Sequence, residues 1–204
     1  MKKINEIVSA DEILHLLPEE QIQHSINVGK LMECFSICLN EYADQPMLQY
    51  YSLAAYYHDI GKAHVPAELL TKTGVLAKEE YRLIQQHTVF ARKLLESARR
   101  ENDSVIPKEI IDLLLDAAVY HHENWDGTGY PYRKRGLEIP LVARATAVCD
   151  AYDAMVSARS YRPAFSHDYA CGELKKWAGR QFDPELVKLF LEYQAKYNEL
   201  VYSL

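Results

Sequence analysis

Apolar residues return along most of the chain at three- to five-residue spacing, the period of a helix with one buried face. From about Glu19 to Tyr42 they are Ile22, Ile26, Leu31, Phe35, Cys38 and Leu39. Pro46 can open a second helix, and Gly61 after MLQYYSLAAYYHDIGK-type patterning is a candidate C-cap. The stretch HVPAELLTKTGVL is looser, broken by Pro66 and Gly74. Periodicity resumes from about Lys78 to Arg100 through Tyr81, Ile84, His87, Ala91, Leu94 and Leu95. After the polar gap RRENDSVI, Pro107 starts IIDLLLDAAVYHH, which runs into the glycine-rich loop ENWDGTGYPYRKRGLEIP. Pro140 leads into LVARATAVCDAYDAMVSA, and two more helices are expected, about His167 to Ala178 and about Pro184 to Tyr202. Strand signals are weak throughout and no internal repeat is visible. The expected fold class is all-α: a single helical domain of about seven or more helices over residues 19–204, preceded by an N-terminal helical extension over 1–18.

The 204 residues are enough to bury a core without staples. Four scattered cysteines (Cys34, Cys38, Cys149, Cys171) make no disulfide framework, and buried thiols in a reducing cytosol are the expectation. There is no secretory h-region and no run approaching the ~20 apolar residues of a membrane span. A soluble, cytoplasmic protein is expected. The formal net charge of −6 argues against a nucleic-acid coat but leaves room for a small anionic ligand held by metals and local arginines. Fifteen tyrosines and the tail YNELVYSL fit either a homodimer face or a core.

The candidate chemistry lies in the histidines. His58 is followed by Asp59, and His121 by His122. His24 and His87 sit on helical patterns, and Asp150 stands in the apolar run ATAVCDAYDAMV, where a carboxylate is costly unless paired or ligated. Helices around one core can aim such residues at one spot. Imidazole with carboxylate and no thiolate suits iron, manganese or zinc with open positions. Two ions ~3.5–4 Å apart activate water and clamp both oxygens of a phosphoryl displacement.

The segment HDIGK (His58–Lys62) resembles the signature of the HD-superfamily metal-dependent phosphohydrolases. HHENWDGTGYP (His121–Pro131) resembles the hallmark of their HD-GYP subfamily, whose members hydrolyse cyclic di-GMP. The resemblance covers roughly Glu20 to Phe190. It implies that His24, His58, Asp59, His87, His121, His122 and Asp150 are metal ligands, with Asp59 bridging. Glu20, one turn before His24, matches the glutamate with which some members hold a third ion; as an alternative it only decorates the helix start. Two or three divalent ions are therefore expected, iron or manganese first, with zinc, nickel and magnesium as further candidates.

By the same resemblance Asp59 and Lys62 are the expected catalytic pair, and Lys62, Asp153, Arg159 and Arg162 are expected at substrate phosphate or around the metals; Lys62 as a helix-end cation and the arginines as surface cations are the alternatives. Glu123 and Asp126 are candidate acceptors that orient metal-bound histidines. Gly129, Tyr130 and Pro131 shape the loop, with docking to a GGDEF-domain protein as a further implied role. The implied reaction opens cyclic di-GMP to linear pGpG, or carries it to GMP if three ions bind. Another cyclic dinucleotide such as cyclic GMP–AMP, another nucleotide, or a non-catalytic cyclic-dinucleotide sensor remain as alternatives. Against the family pattern, Ala77 stands where a capping threonine is common, so a looser helix start is expected there.

Overall fold

The computed structural model describes residues 10–42, 47–101, 106–158 and 163–202. It is all-α: among the described residues the only β pairing is an isolated bridge between Ala178 and Phe182. The helices are α1 (Ala10–Leu14), α2 (Glu19–Tyr42), α3 (Tyr51–Tyr56), α4 (Ala67–Leu70), α5 (Lys78–Gln85), α6 (His87–Glu101), α7 (Lys108–Tyr120), α8 (Leu141–Val156), α9 (His167–Trp177) and α10 (Pro184–Tyr202). Short 3-10 turns cover Leu48–Tyr50, Ile60–His64 and Gly136–Glu138. Among the described residues no helix is long and apolar enough to cross a membrane.

α2 is the central strut, packed on α3 and α8, while α6 lies against α7 and the 60–64 turn. The core is continuous. Phe35 of α2 meets Phe190 of α10 edge-on at 5.2 Å, and Tyr152 of α8 meets the same ring at 5.2 Å. Leu14 and Leu17 are buried in this core, so the segment around α1 packs onto it. Pro107 and Pro140 stand just before α7 and α8, and Pro184 opens α10, where its missing N–H costs no hydrogen bond. Asp183 caps α10 by accepting from the Glu185 N–H at 3.0 Å.

Four expectations change. The buried stripe of α2 runs Gln21, His24, Ser25, Val28, Met32, Phe35, Leu39, while Ile22, Ile26, Leu31 and Cys38 are only half-buried. The N-terminal half of the stripe is polar because it faces the site, which a hydrophobic pattern cannot register.

The helix expected from Pro46 to Gly61 is short. Residues 43–46 lie outside the described chain, α3 ends at Tyr56, and Gly61 is not its cap. Gly61 sits in the 60–64 turn, where a Cβ would stand 1.9 Å from the His87 carbonyl oxygen, so its missing side chain permits backbone-on-backbone contact with α6. The helix expected over Lys78–Arg100 is two, separated at Gln86, where the His87 ring takes the Ile84 carbonyl that a continuous helix would use.

Ala77 does not loosen α5. The Glu80 carboxylate accepts the Ala77 N–H at 2.7 Å and pairs with Lys72 at 2.6 Å, replacing the absent side-chain cap. Of the cysteines, Cys149 is buried and Cys34, Cys38 and Cys171 are half-buried; all four are free thiols. The side chains of the tail from residue 195 onward, on which the dimer expectation rested, lie outside the described ones.

Candidate metal centre

Five pieces of chain converge on one place: α2, the turn after α3, the start of α6, the end of α7, and the middle of α8. Their side chains form two adjoining groups, Asp59–His87–His121–His122 and His24–His58–Asp150, whose candidate donor atoms lie within 4.8 Å of one another in each. All seven expected ligands are thus brought together. His24, His58, Asp59, His87 and His121 are buried, and Asp150 and His122 are partly open.

Hydrogen bonds fix how the rings face. A carbonyl oxygen only accepts, so each ring nitrogen beside one carries the hydrogen. His58 Nδ1–H donates to Ala55 O at 2.7 Å, His87 Nδ1–H to Ile84 O at 2.7 Å and His121 Nδ1–H to Ala117 O at 3.0 Å. Every one of these bonds is local, three or four residues back along the chain. Each leaves a bare Nε2 lone pair aimed at the centre.

His87 Nε2 and His121 Nε2 then face each other at 3.4 Å with no hydrogen between them, and Asp59 Oδ1 lies 3.4 Å from His87 Nε2 and 3.8 Å from His121 Nε2. His58 Nε2 and Asp59 Oδ1 are buried without a hydrogen-bond partner. A buried cluster of acceptors with no donor is costly unless a cation sits among them. The residues present therefore fit divalent metal ions, and the two clusters could hold them.

The electrostatics agree. Burial, ahead of any neighbour, pushes His87 down to about 4 and His122 down to about 3, and pushes His121 well below its ordinary value. Neutral imidazole is the form that ligates. Burial alone would raise the Asp59 carboxyl, but neighbouring His58 and the Lys62 ammonium hold it well below the usual range. His24 differs. Burial alone would lower it, yet hydrogen bonds to Asp150 (2.9 Å, at Nε2) and Asp153 (2.6 Å, at Nδ1) push it up to about 9.

The remaining expected residues separate. Lys62 reaches Asp59 Oδ2 at 2.6 Å and donates to Gln21 Oε1 at 2.9 Å, although it stands in a 3-10 turn rather than on a continued helix. Glu20 lines a cavity of about 400 Å³ together with Glu19, Gln23, His24, Asn27, Asp153, Ser157 and Ala158. Asp153 is buried behind His24 and points at its Nδ1 rather than outward toward a ligand. Arg159 and Arg162 lie outside the described residues.

Glu123 and Asp126 do not orient the histidines; both bind the loop. Glu123 accepts the N–H groups of Tyr132 (2.7 Å) and Lys134 (3.1 Å), and Asp126 accepts the Thr128 N–H and hydroxyl. A turn with successive inward N–H groups attracts the nearest carboxylate, and for both residues the loop backbone is nearer. Gly129 packs beneath His122, where a Cβ would stand 2.5 Å from the His122 carbonyl oxygen. Tyr130 stacks on the His122 ring at 4.8 Å, and the Tyr130–Pro131 bond is cis. The loop is pinned to the α9–α10 connection by Trp125 N–H to Gln181 O and Asp126 N–H to Arg180 O. Sequence reasoning missed Gln21, Asn27 and Ser157. Gln21 and Asn27 flank His24 three residues to either side, a spacing that places them on its helix face.

A helical bundle with paired imidazole–carboxylate clusters at its centre is an architecture that can hold metal ions. A model of the HD domain family matches residues 9–186, and the chain belongs to that family. A cyclic di-GMP phosphodiesterase of Vibrio cholerae is 39% identical over 144 residues, covering 71% of this chain and 29% of the relative. A cyclic di-GMP phosphodiesterase of Thermotoga maritima is 33% identical over 193 residues, 93% of this chain and 50% of the relative. A 3'3'-cGAMP-specific phosphodiesterase of Vibrio cholerae is 35% identical over 140 residues, 69% and 25% of the two chains. The chain spans about a quarter to a half of the length of these relatives. Among solved structures, an HDG"Y"P protein from Bdellovibrio bacteriovorus superposes with a TM-score of 0.65 at 15% identity, covering 95% of this chain and 59% of that one, which shows the shared fold.

Proposed function

We propose that this chain is a metal-dependent phosphodiesterase that hydrolyses cyclic dinucleotides, with cyclic di-GMP as the first substrate. The observation that carries the reading is a buried group of acceptors with no donor between them: the bare Nε2 atoms of His58, His87 and His121 around Asp59 Oδ1, with His87 Nε2 and His121 Nε2 only 3.4 Å apart. His24, His58 and Asp150 would hold one ion and His87, His121 and His122 another, with Asp59 between them. Glu20, on the wall of the adjoining cavity, is the candidate for a third. Iron or manganese is the first candidate for this donor set, because imidazole with carboxylate and no thiolate is not the ligand set of structural zinc. When bound, such ions supply Lewis acidity toward a phosphate and a water of lowered pKa.

The chain's own residues do the rest. The three local Nδ1–H bonds hold the rings so that no rotation is needed when an ion arrives. Lys62, 2.6 Å from Asp59, brings a cation to the edge of the cluster where a phosphate oxygen would gain charge. The reaction releases linear pGpG first, and no protein nucleophile is needed. Some relatives are named for cyclic GMP–AMP, which supports a second reading with the same chemistry and another base. The test is elemental analysis of chain purified anaerobically without chelator, with products from cyclic di-GMP and 3'3'-cGAMP separated by chromatography in Mn(II) or Fe(II). Absence of metal, or of turnover with both dinucleotides, defeats the proposal.

A further inference from the structure

His24 differs from His58, His87 and His121, whose Nδ1–H groups bond backbone carbonyls three or four residues back. The partner of His24 Nδ1 is Asp153 Oδ2, 2.6 Å away on another helix, 129 residues along the chain. Asp153 is itself buried, and its other oxygen is fully engaged: Asn27 Nδ2 donates to Oδ1 at 2.9 Å and Ser157 Oγ donates to Oδ1 at 2.7 Å. Asn27 Nδ2 also lies 3.4 Å from Ser157 Oγ, and Gln23 Nε2 donates to Asn27 Oδ1 at 2.9 Å, which sets the amide's orientation.

We infer that Asn27 and Ser157 are positioning residues that clamp Asp153 so that His24 presents Nε2 to the ion shared with His58 and Asp150. This inference rests on the metal-centre reading above and deepens it.

The argument is geometric. A carboxylate has two oxygens and rotates freely unless both are held. Asn27 comes from α2, one turn after His24. Ser157 comes from the end of α8, one turn after Asp153, where its N–H also bonds Asp153 O at 3.0 Å. With Oδ1 taken from two sides, only Oδ2 is left for the imidazole, and the Nδ1–H tautomer follows. His58, His87 and His121 need no such device, since a backbone carbonyl three or four residues back holds each. The clamp also ties α2 to the end of α8 at the edge of the site's cavity, so the ion's ligands on the two helices keep one spacing. Outer partners of ligating histidines typically change metal affinity 10–100-fold.

The experiment measures Mn(II) binding to the chain by the EPR signal of free ion, and coordination by the visible spectrum of the Co(II)-loaded chain. Asn27→Ala and Ser157→Ala are each expected to weaken one ion about tenfold or more and to alter the Co(II) spectrum, while the ion at His87, His121 and His122 keeps its affinity. Ser157→Thr, which retains the hydroxyl, is expected to restore both. Two results overturn the inference: wild-type affinity for both ions in the two alanine variants, or equal loss of both ions that Ser157→Thr does not restore, as general unfolding would give. A wild-type chain that binds no Mn(II) sinks the metal-centre reading itself, and the clamp with it; turnover plays no part in the readout, so the two failures are distinct.

Discussion

Replacing Gly61 with alanine tests how the site is built. The added Cβ would stand 1.9 Å from the His87 carbonyl oxygen, 2.7 Å from the Ala91 nitrogen and 2.8 Å from the His87 carbonyl carbon. All three are backbone atoms, so no side chain can rotate aside. The gap must open from 1.9 Å to the 3.4 Å at which ordinary contact begins, and the moving part is the start of α6, which carries His87. Overpacking of this kind costs about 1–3 kcal/mol or more. Alanine returns roughly 0.4–1 kcal/mol by restricting the unfolded chain. A net loss of about 2 kcal/mol corresponds to a fall of roughly 4–8 °C in Tm for a chain of this size. The effect on the centre is larger. His87 Nε2 stands 3.4 Å from Asp59 Oδ1, and a metal site tolerates only about 0.5 Å of ligand displacement. Urea unfolding of metal-free protein and Mn(II) titration of folded protein read the two effects separately. Gly172→Ala is the control: it lies on α9 with nothing within 4 Å of a new Cβ, and it should be neutral or stabilising by up to about 1 kcal/mol. Gly61→Ala that unfolds at the wild-type urea concentration and binds Mn(II) normally would refute the close-approach argument.

Lys62→Gln should keep metal content while lowering kcat/KM for a cyclic dinucleotide about 100-fold, since it removes a charge beside Asp59 without removing a ligand; unchanged kinetics would place the phosphate elsewhere. Glu123→Ala removes the acceptor for the Tyr132 and Lys134 N–H groups, and limited trypsinolysis should show faster cleavage at Arg133, Lys134 and Arg135 with a stability loss of about 1–3 kcal/mol; wild-type cleavage rates would deny the carboxylate its role in the loop. In chelator, stability should fall on both sides of neutrality, as pH-dependent urea midpoints will show. His24, raised to about 9, contributes stability that is fully present below its ordinary 6.5 and lost as pH rises through 9. His87 and His122, lowered to about 4 and 3, contribute stability that is present above 6.5 and lost as pH falls toward those values. Flat midpoints from pH 4 to 9 would contradict the burial of these rings.

The parts of the molecule that were legible in the sequence are those where one physical rule acts alone. The bounds of α2, Glu19 and Tyr42, follow from a long helical period, and α7, α8 and α10 begin where prolines mark their starts. Four of the seven candidate ligands, His58, Asp59, His121 and His122, were legible because two motifs, HDIGK and HHENWDGTGYP, are rare strings in a fixed order; His24, His87 and Asp150 followed from the wider family resemblance, and the structure brings the seven side chains together. What escaped are features that depend on two distant segments at once. Gly61 looked like a helix end because glycine commonly ends helices, whereas its reason lies in the backbone of α6, 26 residues on, which no local pattern encodes. The buried stripe of α2 was misplaced by about a residue for the same cause: Gln21, His24 and Ser25 are buried against the centre, and hydrophobicity cannot distinguish a polar residue facing a site from one facing water.

Asp153, Glu123 and Asp126 show a further limit. A carboxylate near a histidine motif suggests a ligand contact, but which donor it takes is decided by geometry. Asp153 faces a ring from another helix, whereas Glu123 and Asp126 face N–H groups of their own loop. The distinction has a physical sign. A carboxylate that holds a loop can be replaced at the cost of the loop's order alone, while one that holds His24 changes the affinity of a single ion. Comparing Glu123→Gln with Asp153→Asn by Mn(II) titration therefore separates the two roles: both ions should bind normally in the first, and one should weaken at least tenfold in the second. Equal behaviour of the two variants would mean that the loop and the His24 pair support the centre in the same way, and that the separation drawn from their hydrogen bonds is wrong.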